Sequence, residues 1–200
     1  MTHSNDNLVC VFCASHDSTN PIYNEAADNL GRELVQAGYG LVYGGGGHGL
    51  MGRVARGVFD NNGSVLGIIP HSLTKYEGTV EIGRTILVDS MHERKQLMNE
   101  HATAFIALPG GFGTLEELLE IATWSMLCIH SKPIIVLNTN GYYNALGDMI
   151  DKAVEAGFVK PGNKEIIVMC DTPQEAVAAI KSYTVPTTRY GLTWTTATPI

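Results

Sequence analysis

Thr103-Ala-Phe-Ile-Ala-Leu-Pro-Gly-Gly-Phe-Gly-Thr-Leu-Glu-Glu117 carries an apolar strand into a glycine-rich turn and on into an acidic helix start. Gly110, Gly111 and Gly113 leave the backbone open to close approach by a ligand. The first N–H groups of the following helix lack partners within it, so the junction suits an anion such as a phosphate. Thr114 and Glu117 also stand at the Thr-x-x-Glu spacing of a capping box, in which each side chain accepts a backbone N–H of the first turn. On these residues alone, capping is the plainer reading of Glu117.

The strand-then-helix pattern continues in both directions. Apolar, β-branched runs at 8–13, 40–44, 64–69, 85–88, 103–108, 133–138 and 166–170 read as strands. Between the first two, Ile22, Ala26, Leu30 and Leu34 recur every fourth residue until Gly38, as in a helix with one face on a sheet. Further helices are expected near 49–62, 91–101, 114–129, 142–156 and 173–182. Parallel crossovers need helix-length connections, so the order implies an α/β fold: a Rossmann-like, doubly wound, mostly parallel sheet of about seven strands with helices on both faces. The glycine segments 44–49 and 110–113 both follow strands and should line one crevice at the same sheet edge. Residues 1–183 are expected to form one domain, and 184–200, rich in Thr and Pro, a tail that is loose or draped over a partner subunit.

Composition narrows the function. A net charge of -7 and a pI near 5.4 argue against nucleic acid as the main partner. No apolar run reaches the roughly 20 residues of a membrane-spanning helix, and the N-terminus lacks signal-peptide character, so a cytoplasmic protein without membrane contact is expected. Four scattered cysteines do not make a disulfide framework. Cys10 and Cys13 lie three apart on a strand, hence on opposite faces, which disfavours redox or zinc chemistry. His92-Glu93 begins a His-Glu-x-x-His pattern that Gln96 breaks, so no metal site is supported.

Gly47-His-Gly-Leu-Met-Gly52 matches the dinucleotide fingerprint Gly-x-Gly-x-x-Gly, but the next strand ends Gly67-Ile-Ile-Pro-His71 without the acidic residue that would hold a ribose. Neither glycine loop carries the Gly-Lys-Ser/Thr of a kinase-type P-loop. Upstream of the decisive turn, Met91-His-Glu-Arg-Lys95 opens a helix whose Arg94 and Lys95 would, taken alone, read as solvated charges.

Met-His-x-Arg-Lys followed by Pro-Gly-Gly-x-Gly-Thr-x-x-Glu resembles the Lonely Guy (LOG) family of cytokinin riboside 5′-monophosphate phosphoribohydrolases. The likeness spans about residues 8–170 and includes Phe12-Cys-Ala-Ser15, Leu41-Val-Tyr-Gly-Gly-Gly46, Gly49-Leu-Met-Gly52, Gly67-Ile-Ile-Pro70, Thr123-Trp124 and Asn138 through Tyr143. Ala14, where many members carry Gly, and His48, where others often have Ser-Val, depart from the pattern.

The resemblance implies hydrolysis of the N-glycosidic bond of a nucleoside 5′-monophosphate, N6-prenylated or plain AMP, to free base and ribose 5-phosphate without a cofactor. Cleavage builds positive charge on the ribose and negative charge on the base, which calls for a carboxylate and a cation. Glu117 and Arg94 match the family's catalytic pair. Lys95 would add positive potential, and Gly110, Gly111, Gly113 and Thr114 would hold the 5′-phosphate, with Gly45 and Gly46 beside them. Glu77, Met91 and Thr123 are further substrate contacts by resemblance, and a homodimer with the site near the interface is implied, the Met91–His101 helix contributing. Three alternatives stay open: a general purine nucleotide nucleosidase, a non-catalytic nucleotide binder, and a pyridoxal-dependent lysine decarboxylase. The last would require a Schiff-base lysine, for which Lys95 is the one candidate near the crevice.

Overall fold

Strands buried on both faces need uninterrupted apolar residues, and Leu8–Phe12 (β1), Gly40–Tyr43 (β2), Val65–Pro70 (β3) and Ile134–Leu137 (β6) are buried at every position. In a computed structural model of the chain, which describes residues 7–77 and 82–194 (backbone only at 76 and 77), these strands join Arg84–Val88 (β4), Ala102–Ala107 (β5) and Val168–Cys170 (β7) in one sheet. The order is β4-β3-β2-β1-β5-β6-β7 and every pairing is parallel. The doubly wound sheet expected from the sequence is therefore present, with strand boundaries within two residues of the expected ones.

Helices Pro21–Gln36 (α1), Gly49–Phe59 (α2) and Pro173–Ser182 (α7) cover one face, where Leu30, Leu34, Val54, Val58 and Val177 meet Val9, Val11 and Cys13. Met91–His101 (α4) and Phe112–Met126 (α5) cover the other, packing Met98, Leu118 and Ile121 on Cys10 and Phe12. Cys10 and Cys13 thus belong to opposite cores, as their spacing requires. Asn144–Glu155 (α6) follows β6, and the four-residue Thr74–Glu77 (α3) was not foreseen. No helix among the described residues is long and apolar enough to cross a membrane.

Through Trp194 the tail lies over its own chain: Arg189 donates to the carbonyls of Ser125 and His130, Tyr190 N–H to Met126 O, and Trp194 Nε1 to Leu127 O. These carbonyls stand at and just beyond the C-terminus of α5, where backbone acceptors lack helical partners and a cation is favoured.

Candidate active site

The chain leaves β1 toward β2 on one side and reaches β5 on the other, so the loops after β1 and β5 diverge at the C-terminal edge and open a crevice. Ala14 N–H donates to Pro109 O at 3.2 Å, and Ala14 O accepts from Met51 N–H at 3.2 Å, tying the β1 loop to the β5 turn and to α2. A cavity of about 490 Å³ opens here. Its walls come from Cys13–His16, from the start of α5, from Met91 and Arg94 of α4, and from Met51 and Leu73.

Among the described residues Arg94 is the Asp, Glu, Lys or Arg drawn fully into the interior, 4% exposed. Its Nη2 donates to Gly44 O at 3.0 Å and its Nη1 to Met91 Sδ at 3.7 Å. A Cβ on Gly44 would stand 2.0 Å from Nη2, so glycine at the end of β2 is what lets the guanidinium in. Helix α4 is fixed at its start by Ser90, whose hydroxyl accepts from Glu93 N–H at 3.1 Å, while the Glu93 carboxylate accepts from Asp89 N–H at 3.0 Å. Arg94 thus brings a planar, multiply donating guanidinium to the crevice.

Lys95, roughly 100° further round the helix, faces α5 and binds Glu116 at 2.5 Å and Glu120 at 3.0 Å. Burial pulls its pKa down, but hydrogen bonds and charge from the two carboxylates outweigh that and hold the ammonium above its ordinary value. It does not line the cavity, and the potential expected of it is largely neutralised by its partners.

Helix α5 begins two residues before the expected Thr114. Its N-cap is Gly111, at φ -94° and ψ -152°, with no side-chain cap. The Thr114–Glu117 capping box is therefore not formed, because Thr114 already sits in the third helical position. The Thr114 hydroxyl instead occupies the space a Cβ on Gly110 would need, 2.1 Å away. Glu117 lies three residues after Thr114 and four after Gly113, on one helix face, half-buried and lining the cavity with them. Among the described residues, a complete capping box is formed by Thr172 with Glu175, at the start of α7.

Cys13 lines the cavity, yet burial and then the Glu117 charge push its thiol upward, so it stays protonated and unreactive. Met91 stands 41% exposed at the mouth. Gly45, at φ +79°, packs against Ile69 of β3 with 3.0 Å for a Cβ, and buried Gly46 adjoins it; neither lines the cavity. Thr123 is exposed two turns beyond Glu116, its hydroxyl donating to Leu119 O, away from the cavity. Gly110 stands behind the turn. The Glu77 side chain lies outside the described residues. Sequence reasoning missed the Ser15–His16 pair (Oγ to Nδ1, 3.2 Å), Phe112, which is 94% exposed at the rim, and Gly44, whose only signal was its place in a glycine run.

A family model described as "Possible lysine decarboxylase" matches residues 51–180. The chain is 50% identical over 184 residues to cytokinin riboside 5′-monophosphate phosphoribohydrolase LOG3 of Arabidopsis thaliana, covering 92% of this chain and 86% of that protein. The chain belongs to the Lonely Guy (LOG) family. A rice member, the probable cytokinin riboside 5′-monophosphate phosphoribohydrolase LOGL2 of Oryza sativa subsp. japonica, is 49% identical over 88% of this chain and 72% of its own. The LOG fold also matches a molybdenum cofactor carrier protein from Chlamydomonas reinhardtii, with TM-score 0.68 at 18% identity over 89% of this chain and 97% of that one. A molybdenum cofactor binding protein from Rippkaea orientalis gives TM-score 0.64 at 20% identity over 88% and 96%. At such identities the likeness is one of fold. The decarboxylase label finds no support in this LOG cavity: a Schiff-base lysine must shed its proton, whereas no lysine is among the lining residues and Lys95 is held charged.

Proposed function

We propose that the chain hydrolyses the N-glycosidic bond of an N6-prenylated adenosine 5′-monophosphate, releasing the free cytokinin base and ribose 5-phosphate. One observation carries this reading: a buried guanidinium, a half-buried carboxylate and a glycine turn opening a helix share one cavity at the strand switch point. In the reaction the C1′–N9 bond breaks with its electron pair going to the base, a water molecule adds its hydroxyl to C1′, and the remaining proton of that water ends on the departing base. Glu117 stabilises the oxocarbenium-like ribose and takes the proton of the attacking water. Arg94 orients Glu117 and the ribose hydroxyls and faces the charge developing on the base. Gly111, Gly113 and Thr114 hold the 5′-phosphate at the start of α5, with Met91 and Glu77 as further contacts; Gly45, Gly46, Lys95, Gly110 and Thr123 stand outside the cavity lining and touch no substrate in this reading. No metal or cofactor is needed for this step.

Residues 1–183 are assigned to one hydrolase domain acting as a cytoplasmic homodimer, with α4 near the interface. Exposed Leu87, Met91 and Leu119 support an apolar contact around the site, and four free cysteines suit a reducing compartment. The apolar rim of Met51, Leu73, Met91 and Phe112 favours a prenylated base over plain adenine. Base release from isopentenyladenosine monophosphate and from AMP separates the readings. The proposal expects kcat/KM about tenfold or more in favour of the prenylated substrate, about 1.4 kcal/mol of apolar contact. Equal rates would indicate a general purine nucleotidase, and release from neither a non-catalytic nucleotide binder.

A further inference from the structure

The turn that carries the proposed phosphate site is held from behind by two adjacent phenols on another element. Tyr142 Oη donates to Gly110 O at 2.6 Å and Tyr143 Oη to Leu108 O at 2.7 Å. Both come from the tight turn that follows β6 at the same sheet edge as β5. That turn is specified by its own side chains. Asn138 Oδ1 accepts from Tyr143 N–H at 2.7 Å, Asn138 Nδ2 donates to Asn144 Oδ1 at 2.9 Å, and Asn138 N–H donates to Cys170 O at 2.7 Å. Asn140 and Gly141 adopt positive φ, 54° and 70°, in the left-handed region that Asn and Gly enter most readily. The two phenols pack edge to face at 5.0 Å, and Tyr142 meets Tyr23 of α1 in the same way at 5.7 Å.

We infer that Tyr142 is a positioning residue for 5′-phosphate recognition: its hydroxyl holds the Gly110–Gly111 peptide so that the Gly111 N–H is presented to the cavity. The inference rests on the functional reading given above. In a trans peptide the C=O and the following N–H point in opposite directions. Gly111 lines the cavity, whereas Gly110, Tyr142 and Tyr143 do not, so anchoring Gly110 O on the Tyr142 side sends the Gly111 N–H the other way. The peptide has glycine on both sides, the arrangement with least resistance to rotation, and it is the one whose carbonyl Tyr142 grips. Tyr143 fixes Leu108 at the end of the strand, where the following Pro109 has no N–H to contribute.

Tyr142→Phe removes the hydroxyl and keeps the ring, and at 43% exposure the residue tolerates the change without a buried hole. The measurements are steady-state kinetics with isopentenyladenosine monophosphate, inhibition by ribose 5-phosphate, and thermal melting. KM and the ribose 5-phosphate inhibition constant should each rise about five- to tenfold, the loss of one positioning hydrogen bond, with kcat within about twofold and Tm nearly unchanged. Unchanged KM and inhibition constant in the variant, against an active wild type that binds ribose 5-phosphate, would overturn the positioning role alone. A lowered Tm with unaltered KM would reduce Tyr142 to a packing residue and overturn it equally. A wild type that neither binds ribose 5-phosphate nor releases base would remove the functional reading and the inference with it. Tyr143→Phe, 2% exposed, serves as the contrast: its loss should appear mainly in Tm.

Discussion

Adding one methyl group at Gly44 should disable the site while leaving the fold standing. A Cβ there would lie 2.0 Å from Arg94 Nη2, 3.2 Å from Arg94 Cζ and 3.2 Å from Met51 Sδ. Restoring ordinary contact of about 3.5 Å forces the guanidinium back by about 1.5 Å. The bond from Nη2 to Gly44 O, now 3.0 Å, would then fall outside hydrogen-bonding range. Loss of a hydrogen bond from a charged donor costs about 1.5–3 kcal/mol, which in a chain of this size lowers Tm by roughly 3–12 °C. A misplacement of about 1 Å in a reacting constellation costs on the order of 100-fold. Gly44→Ala is therefore expected to melt cooperatively a few degrees early and to lose about 100-fold or more in kcat/KM. Gly147→Ala, whose Cβ would meet only Met169 at 3.5 Å and 3.7 Å, is the control and should keep full activity. Gly44→Ala with kcat/KM within about threefold of wild type, despite a lowered Tm, would refute the claim that Arg94's seating governs turnover.

Two further outcomes follow from the packing. His130 is buried, with Nδ1 accepting from Lys132 N–H, which leaves Nε2 to donate to Ile121 O; burial pushes its pKa down to about 4 from an ordinary 6.5. The unfolded chain therefore takes up this proton first. Stability should fall by about 1.4 kcal/mol per pH unit between 6.5 and 4, about 3 kcal/mol in all, and be flat above 6.5. Denaturant melts of wild type and His130→Gln across that window should diverge in slope by this amount, and parallel curves would contradict it. At the α1–α2 crossing, a Cβ on Gly31 would meet Gly57 Cα at 2.7 Å and Val54 O at 2.8 Å, backbone atoms that cannot step aside. Gly31→Ala should cost about 1–3 kcal/mol by thermal melting, with KM unchanged because the cavity lies elsewhere.

The sheet was legible because each strand is a short apolar run closed by a turn, and parallel connections fix which edge the glycine loops share. Arg94 and Lys95 were told apart by the family resemblance and not by residue type or spacing: one residue's rotation about α4 sends the first into the crevice and the second to Glu116 and Glu120, 21 and 25 positions away. The start of α5 was misplaced because Thr-x-x-Glu spacing reads as a cap, whereas the backbone of Gly111 begins the helix unaided. Tyr142 and Tyr143 carry no local signal, since their partners are carbonyls more than 30 residues earlier. The tail offered no period to read; Arg189, through the carbonyls of Ser125 and His130, and Trp194, through that of Leu127, hold it at the end of α5.

The central claim is that Glu117 serves the ribose and is not a helix cap. Single-turnover release of base from isopentenyladenosine monophosphate by Glu117→Gln, with a thermal melt of the same sample, tests it most directly. Loss of about 100-fold or more in rate, with Tm within a few degrees of wild type, is the predicted result. Retained rate with a stability loss of about 1 kcal/mol, the signature of a missing cap, would contradict it.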